Sequence, residues 1–141
     1  LFEVIFRGGR LDNDYDQDDD ETPRPPGVPD YIIPDGVFIR LTVDLFVTKI
    51  DTAACCGCRM LREVLFHNNV TEIGYRAFQY CSNLQRVELP AGLLRVEAFA
   101  FDGCTSLRGE IVIPASVQYM GDMVFRWCAS LESVVFAPRT T

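Results

Sequence analysis

The chain has 141 residues, of which 48% are hydrophobic, and this is enough for one domain with a sizeable core. Its formal net charge is −7, and the seven acidic side chains between residues 12 and 21 account for all of that charge. The rest of the chain is therefore neutral, and the composition excludes the broad basic surface that binds nucleic acid.

Residues 1–10 begin with the apolar run Leu1–Phe6, which is followed by the turn signal Gly8-Gly9. We interpret this segment as an N-terminal strand or tail. The run is too short to cross a membrane, and it lacks the length and flanks of a signal peptide. We therefore predict no membrane segment in this chain.

Residues 11–30 are predicted to form an acidic, proline-rich linker. The like charges repel one another, and four prolines resist regular structure. The alternating Asp12, Asp14 and Asp16 resemble the first ligands of a calcium loop. However, such a loop needs glycine where Gln17 stands and a bidentate glutamate where Pro23 stands. We therefore favour a solvated linker over a calcium site.

Residues 31–46 are interpreted as an N-terminal capping coil. From Phe38 to Val47, apolar and polar residues alternate, which predicts a strand with Ile39, Leu41, Val43 and Leu45 on one face. Terminal repeats of a solenoid are usually atypical, and this segment has no turn region of the kind that follows in the rest of the chain.

Residues 47–138 carry one pattern about four times, with a period of 23 to 24 residues. The copies are Val47–Phe66, Val70–Pro90, Leu93–Pro114 and Val117–Pro138. This period is typical of solenoids, in which stacked units share a core that a single unit cannot bury. In each copy a segment such as Leu84–Leu89 predicts a strand, and a segment such as Tyr75–Cys81 predicts one or two helical turns.

Two apolar columns are expected inside the stack. Phe78, Phe101 and Phe125 form a predicted aromatic spine, with Cys55 as its smaller fourth member. Four cysteines share another position: Cys58, Cys81, Cys104 and Cys128. Their side chains would point in parallel, whereas a disulfide needs close Cβ atoms in a twisted geometry. We therefore predict buried free thiols, which favour an intracellular location.

The pattern resembles the BspA-like leucine-rich repeat family over about Val47–Pro138. The matching residues within one copy are Gly74, Ala77, Phe78, Cys81, Leu84 and Pro90. The resemblance implies an α/β solenoid with parallel strands on the concave face and short helical turns on the convex face. It also implies protein–protein recognition, often in surface or secreted proteins. The copies depart from the pattern at Cys55, Glu97 and Val124, and by an extra residue between Leu107 and Ile111.

The candidate binding site is the concave strand face, where both charge signs mix with apolar residues. Such a mixture suits a protein partner, although an ordinary solvated sheet face has the same composition. The outward positions form three columns: Arg62, Gln85, Arg108 and Glu132; Glu63, Arg86, Glu110 and Ser133; and Leu65, Glu88, Val112 and Val135. We predict a non-enzymatic binding or scaffold module. The alternative is a structural segment of a longer repeat protein without its own site.

No catalytic residues, cofactor or metal site are predicted. Cys55, Cys56 and Cys58 with His67 make a conceivable zinc set, but their spacing fits no standard arrangement. Trp127 stands at the repeat position of Tyr80, either as a partner anchor or partly buried against the next coil.

Two expectations concern the strands themselves. Leu84–Leu89 and Leu107–Ile113 are predicted to lie in one sheet. The last strand, Glu132–Phe136, presents an uncovered edge, which predicts further repeats or another chain against it.

Overall fold

The computed structural model describes residues 2–9, 11 and 38–139. Nearly all of the predicted linker and the first part of the predicted capping coil lie outside the described residues. The copies of the repeat are called coil 1 (residues 47–69), coil 2 (70–92), coil 3 (93–116) and coil 4 (117–138).

The chain winds between two series of short parallel strands. The strands are β1 (Phe2–Phe6), β2 (Ile39–Val43), β3 (Lys49–Ile50), β4 (Leu61–Leu65), β5 (Glu72–Ile73), β6 (Arg86–Val87), β7 (Arg95–Val96), β8 (Gly109–Ile113), β9 (Tyr119–Met120) and β10 (Leu131–Phe136). One series is β1-β2-β4-β6 followed by β8-β10, and the other is β3-β5-β7-β9. Every pair is parallel. The fold is a parallel-strand β-solenoid of about four turns.

The core follows from the alternation within each strand. In the short series, Ile50, Ile73 and Val96 are buried, while the residue before each of them points outward. On the side of the long series, Leu61 at the start of β4, Leu84 just before β6 and Leu107 just before β8 are fully buried. Each such side chain stabilises the fold by roughly 1.5–3 kcal/mol through its removal from water.

The predicted aromatic spine is confirmed. Phe78 stacks on Phe101 with ring centroids 5.3 Å apart, and Phe101 stacks on Phe125 at 5.7 Å. Cys55 is fully buried, and Phe66 packs edge-on against Phe78 at 6.0 Å.

The described residues contain no helix, so the predicted helical convex face is not confirmed. From Ala77 to Cys81, alternate backbone N–H groups bond three residues back, as Ala77 does to Gly74, or across to coil 3, as Phe78 does to Ala100. The reason is the backbone at Arg76 and Tyr80, which have φ of +56° and +60°. Left-handed residues interrupt a right-handed helix, and the segment becomes a run of turns.

The prediction of one continuous long sheet is wrong. β6 and β8 belong to different sheets. Just before these strands, Arg108 N still donates to Gln85 O at 3.3 Å. The extra residue between Leu107 and Ile111 shifts the strand of coil 3 relative to that of coil 2. A single added residue disrupts a ladder locally, and the ladder resumes between β8 and β10.

Candidate functional site

The twelve predicted binding residues, which we call the sheet face, lie on or beside β4, β6, β8 and β10. None of them is buried. Eight are exposed: Leu65, Arg86, Glu88, Arg108, Glu110, Val112, Glu132 and Val135. Four are half-buried: Arg62, Glu63, Gln85 and Ser133. The sheet face is therefore accessible, but its members differ in how firmly the fold already holds them.

Charges of alternating sign cross the strands at one position of the sheet face. Glu3 lies opposite Arg40, Arg40 opposite Glu63, and Glu63 opposite Arg86. The Nε atom of Arg40 donates to Glu63 at 3.0 Å. Opposite charges on neighbouring strands contribute about 0.2–1 kcal/mol per pair. Glu63 is thus engaged within the fold, while Arg86 makes no ion pair within the described residues.

Arg62 is also held by the fold. Its guanidinium lies 3.7 Å from the centroid of the Phe38 ring. The register between β2 and β4 shifts between Leu61 and Glu63, which leaves Arg62 unpaired in the ladder. Its Nε atom is buried and has no hydrogen-bond partner within the described residues.

The C-terminal half of the sheet face is more apolar. Val112 lies opposite Val135, and both side chains are exposed. Arg108 donates to the Gln85 side chain at 3.2 Å, and the Ser133 hydroxyl donates to Glu110 at 3.3 Å. This half of the sheet face thus combines two exposed apolar side chains with a cation, Arg108, whose side-chain hydrogen bond is to a neutral amide.

A second exposed surface was not predicted as a site. The turn face consists of side chains at or beside residues of positive φ: Tyr75, Arg76, Tyr80, Phe99, Met123, Arg126 and Trp127. Tyr75 packs edge-on against Phe99 at 5.9 Å, and Arg126 lies 5.1 Å from the same ring. Trp127, for which the sequence left two roles open, is 69% exposed. In the sequence, Gly57 and Gly103 share a repeat position with Tyr80 and Trp127. These glycines were the available indication that this position has a positive φ.

A buried carboxylate joins coils 2, 3 and 4. Asp102 is fully buried and accepts hydrogen bonds from Gln79 at 2.8 Å and from Arg126 at 3.0 and 2.9 Å. Burial by itself raises the pKa of Asp102, but the bonds from Arg126 and Gln79 outweigh it and lower the pKa below its ordinary value. Both oxygens are occupied, so this carboxylate serves the packing of coils rather than proton transfer.

The cysteines are hydrogen-bond donors within the stack. None of the six forms a disulfide with another. Cys81, Cys104 and Cys128 each donate to a carbonyl of the preceding coil, with S···O distances of 3.0, 3.2 and 3.1 Å. Burial raises the pKa of Cys81 and Cys104 well above the ordinary range, and that of Cys128 to about 11. Such thiols are poor nucleophiles because the thiolate is scarce.

His67 is engaged in a turn between coils. Its Nδ1 atom accepts from the Asn69 N–H at 3.0 Å, and its Nε2 atom donates to the Asp44 carbonyl. In the described part of the chain, no three His, Cys, Asp or Glu side chains converge in a way that could hold a metal ion. The Cys55–His67 set therefore forms no metal centre there.

The winding, the stacked phenylalanines and the ladders of parallel strands define a solenoid repeat protein. The chain belongs to the family described as BspA type leucine rich repeat region. Six copies of the family's repeat are matched within residues 38–141. The recognition made from the sequence is thus confirmed. Proteins of this family and fold are generally non-enzymatic, and the fold is typical of protein-interaction or surface repeat proteins.

Several solved structures resemble the chain. A leucine rich cell surface protein from Faecalibacterium prausnitzii A2-165 is 26% identical with a TM-score of 0.64, over 73% of this chain and 26% of that one. A leucine-rich repeat protein from Bacteroides capillosus ATCC 29799 is 37% identical with a TM-score of 0.59, over 65% and 64%. A leucine rich repeat protein from T. pallidum is 33% identical with a TM-score of 0.57, over 69% and 58%.

The chain spans about a quarter of the F. prausnitzii protein and less than two thirds of the other two. Comparison with curated proteins gives no match. Among the described residues there is also no helix with the length and hydrophobicity that a membrane span requires.

Proposed function

We propose that this chain is a non-enzymatic protein-binding module and that its partner contacts the sheet face. The observation that carries the proposal is the exposure of eight of the twelve predicted residues across all four coils. A continuous outward surface of this kind is what solenoids use for recognition.

The C-terminal half of the sheet face is the best-supported centre of contact. Val112 and Val135 are side by side and exposed, so a partner removes apolar area from water there. Arg86 and Arg108 flank this area with cations that no carboxylate pairs within the described residues. The chemistry fits a protein partner with an apolar contact and acidic residues at its rim.

The proposal is tested with two variants. One reverses charges on the long series of strands, and the control reverses charges on the short series. The variant Arg86→Glu with Arg108→Glu changes the sheet face. The control variant, Lys49→Glu with Arg95→Glu, makes the same charge change on the short ladder, where both side chains are about half exposed. Both variants set new glutamates opposite existing ones, Arg86→Glu opposite Glu63 and the two control substitutions opposite Glu72. Cross-strand charge pairs are worth about 0.2–1 kcal/mol each, so we expect both variants to keep the fold. Circular dichroism verifies this.

The measurement is quantitative pull-down from extracts of the source organism. We expect the sheet-face variant to lose specific proteins that the wild type and the control variant both capture. Equal capture by all three proteins contradicts the proposal. It would favour the alternative, a structural segment of a longer repeat protein, which is consistent with the small share of the F. prausnitzii protein that the chain covers.

A further inference from the structure

Five side chains of the turn face lie together over coils 2 and 3, and we call them the turn cluster: Tyr75, Arg76, Tyr80, Phe99 and Arg126. The guanidinium of Arg76 lies 4.9 Å from the centroid of the Tyr75 ring and 5.9 Å from that of Phe99. Arg126 reaches back from coil 4 to within 5.1 Å of the Phe99 centroid. Two cations therefore have one aromatic ring as a common neighbour. Except for Arg126, the members belong to coils 2 and 3, which have a coil on either side.

Three members of the turn cluster hold a backbone conformation that large side chains rarely adopt. Arg76, Tyr80 and Phe99 have φ of +56°, +60° and +59°. Positive φ is an outlier for a bulky residue, whereas glycine adopts it without strain. Gly103 stands at the position of Tyr80 in the next coil, so the fold accepts glycine there. Such strain is concentrated at functional sites, and here it presents large side chains to solvent.

The fold holds these side chains in place without a partner. Arg126 donates two hydrogen bonds to the fully buried Asp102, at 3.0 and 2.9 Å. The Tyr80 ring rests on Gly103, where an added Cβ would lie 2.5 Å from the ring. Immobilising a side chain on binding costs affinity, so side chains that are already held favour a tight complex.

The exposed charge of the turn cluster is positive. Arg76 makes no ion pair within the described residues. Asp102, which balances Arg126, is fully buried, so a partner meets the guanidinium and not the carboxylate. In the turn segments of coils 2 to 4 the only exposed acid is Asp122 of coil 4, since Glu97 is half-buried and paired with a neighbouring arginine. A negatively charged partner is therefore complementary to this surface.

We propose that the turn cluster is a second docking surface and that its occupant is an acidic segment of a partner protein, with an apolar side chain between two carboxylates. The carboxylates pair with Arg76 and with the Nη1 edge of Arg126, which within the described residues donates to the Met123 sulfur at 3.6 Å. The apolar side chain covers the Phe99 and Tyr80 rings. Arginine and tyrosine are enriched among the residues that dominate binding energy at protein interfaces. The inference does not depend on a partner at the sheet face.

Nucleic acid fits the turn cluster less well. Phosphate backbones are bound by broad basic surfaces, and the chain carries a net charge of −7. Two guanidinium groups beside aromatic rings suit a short segment with few charges and an apolar contact.

The probe is a library of short random peptides displayed on phage and selected against the immobilised chain. We expect the enriched peptides to be acidic, with an aromatic or aliphatic residue between the acidic ones. The tightest binder is then synthesised with a fluorophore, and its dissociation constant is measured by fluorescence anisotropy. Affinity should fall between about 0.05 and 0.3 M salt, because salt screens charge pairs at an exposed surface.

The matched variants are Arg76→Glu and Arg86→Glu. Both arginines are exposed and neither makes an ion pair within the described residues, but Arg86 lies on the sheet face. We expect Arg76→Glu to weaken peptide binding about tenfold or more and Arg86→Glu to leave it unchanged. An effect of Arg86→Glu as large as that of Arg76→Glu overturns the proposal.

Three further results overturn it. One is a selection that enriches no peptide, or only peptides without acidic residues. Another is a labelled oligonucleotide that binds more tightly than the peptide and is released by Arg76→Glu. The third is a dimeric mass of the wild type that Arg76→Glu makes monomeric, since the occupant is then a second copy.

Phe99→Gly separates docking from folding. Glycine relieves the positive φ at this position, which offsets the loss of the half-buried ring. We expect the melting temperature to stay within about 5 °C of the wild type, while peptide affinity falls about tenfold. If Phe99→Gly binds the peptide as tightly as the wild type, the ring takes no part in docking and the proposal is wrong.

Discussion

Coils 2 and 3 in the middle of the stack and coil 4 at its end carry nearly the same side chains in different surroundings. Phe101 is fully buried between two rings, whereas Phe125 is stacked on one side and only partly buried. The thiol of Cys104 is likewise buried, and that of Cys128 only partly. The comparison teaches that a repeat position has no fixed energetic value. Its contribution depends on whether a neighbour lies on both sides.

The largest expected difference concerns the aromatic spine. Phe101→Ala leaves a cavity in contact with Phe78 and Phe125 and should destabilise the protein by about 3–5 kcal/mol. Phe125→Ala is its matched control at the end of the stack, and it should cost about half as much, because less apolar area returns to water. Urea denaturation followed by circular dichroism measures both. Equal costs would show that coil 4 is as well packed as coil 3.

The buried carboxylate gives the next largest effect. Asp102→Asn weakens two bonds from Arg126 and should cost about 1–3 kcal/mol at pH 7. Because the folded-state pKa of Asp102 is lowered, its ionised form stabilises the protein above the unfolded pKa, about 3.9. That contribution is lost as the pH falls through the folded pKa. The stability difference between wild type and variant should therefore shrink in acid, as measured by denaturation at pH 7, 5 and 3.

A constant difference across that pH range would contradict this account of Asp102. Glu97→Gln serves as the control, since Glu97 pairs with Arg95 at the surface at 3.1 Å. Exposed pairs of this kind contribute about 0–1 kcal/mol, so at pH 7 that variant should cost less stability than Asp102→Asn.

Two glycines of nearly equal φ allow a finer comparison. Gly57 and Gly103 have φ of +72° and +74°, but among the described residues a Cβ on Gly57 meets nothing within 4 Å, whereas one on Gly103 meets the Tyr80 ring. Gly57→Ala should cost about 1 kcal/mol for the left-handed backbone alone. Gly103→Ala should cost about 1 kcal/mol more for the contact. Adding Tyr80→Ala should remove that excess. If both glycine variants melt alike, the Tyr80 ring adapts freely.

The smallest effect is a matter of rate rather than stability. The partly buried Cys128 should react with a thiol reagent faster than the buried Cys104, as followed by mass spectrometry of the native protein. Since burial raises the pKa of Cys128 to about 11, its labelling should accelerate about tenfold per pH unit between pH 8 and 10. Faster labelling of Cys104 than of Cys128 would reverse the assigned order of burial.

The repeat period was enough to predict the inward columns. Phe78, Phe101 and the cysteine position follow from matching copies, because a solenoid forces equivalent residues to stack. The turns could not be predicted in the same way. Alanine followed by phenylalanine fits one helical turn. Arginine and tyrosine have no special preference for a left-handed backbone, so the residue types at positions 76 and 80 do not indicate one. Gly57 and Gly103 were the only local indication.

The extra residue between Leu107 and Ile111 was visible in the sequence, but the resulting break in the sheet between β6 and β8 could not be predicted from it. A length difference of one residue can be absorbed in a loop or in a strand, and the sequence does not distinguish these outcomes. The contacts of Asp102 were hidden for another reason. Its column contains Cys56, Gln79, Asp102 and Arg126, which are four different residue types. Because the side chains in successive copies are complementary rather than identical, no residue type recurs at this position, and the repeat alignment does not reveal the contacts.

One column of side chains on the long series of strands alternates between acidic and basic residues. This alternation limits how many coils the gene can gain or lose without placing like charges side by side. Along Glu3, Arg40, Glu63 and Arg86 the sign of the charge reverses with every coil. Unequal recombination that removes a single coil would set like charges against each other, as with Arg40 beside Arg86. Removal of two coils would restore the alternation. The glycine and aromatic residues from Gly57 to Trp127 alternate with the same spacing. Two successive coils therefore make up one full period of both columns.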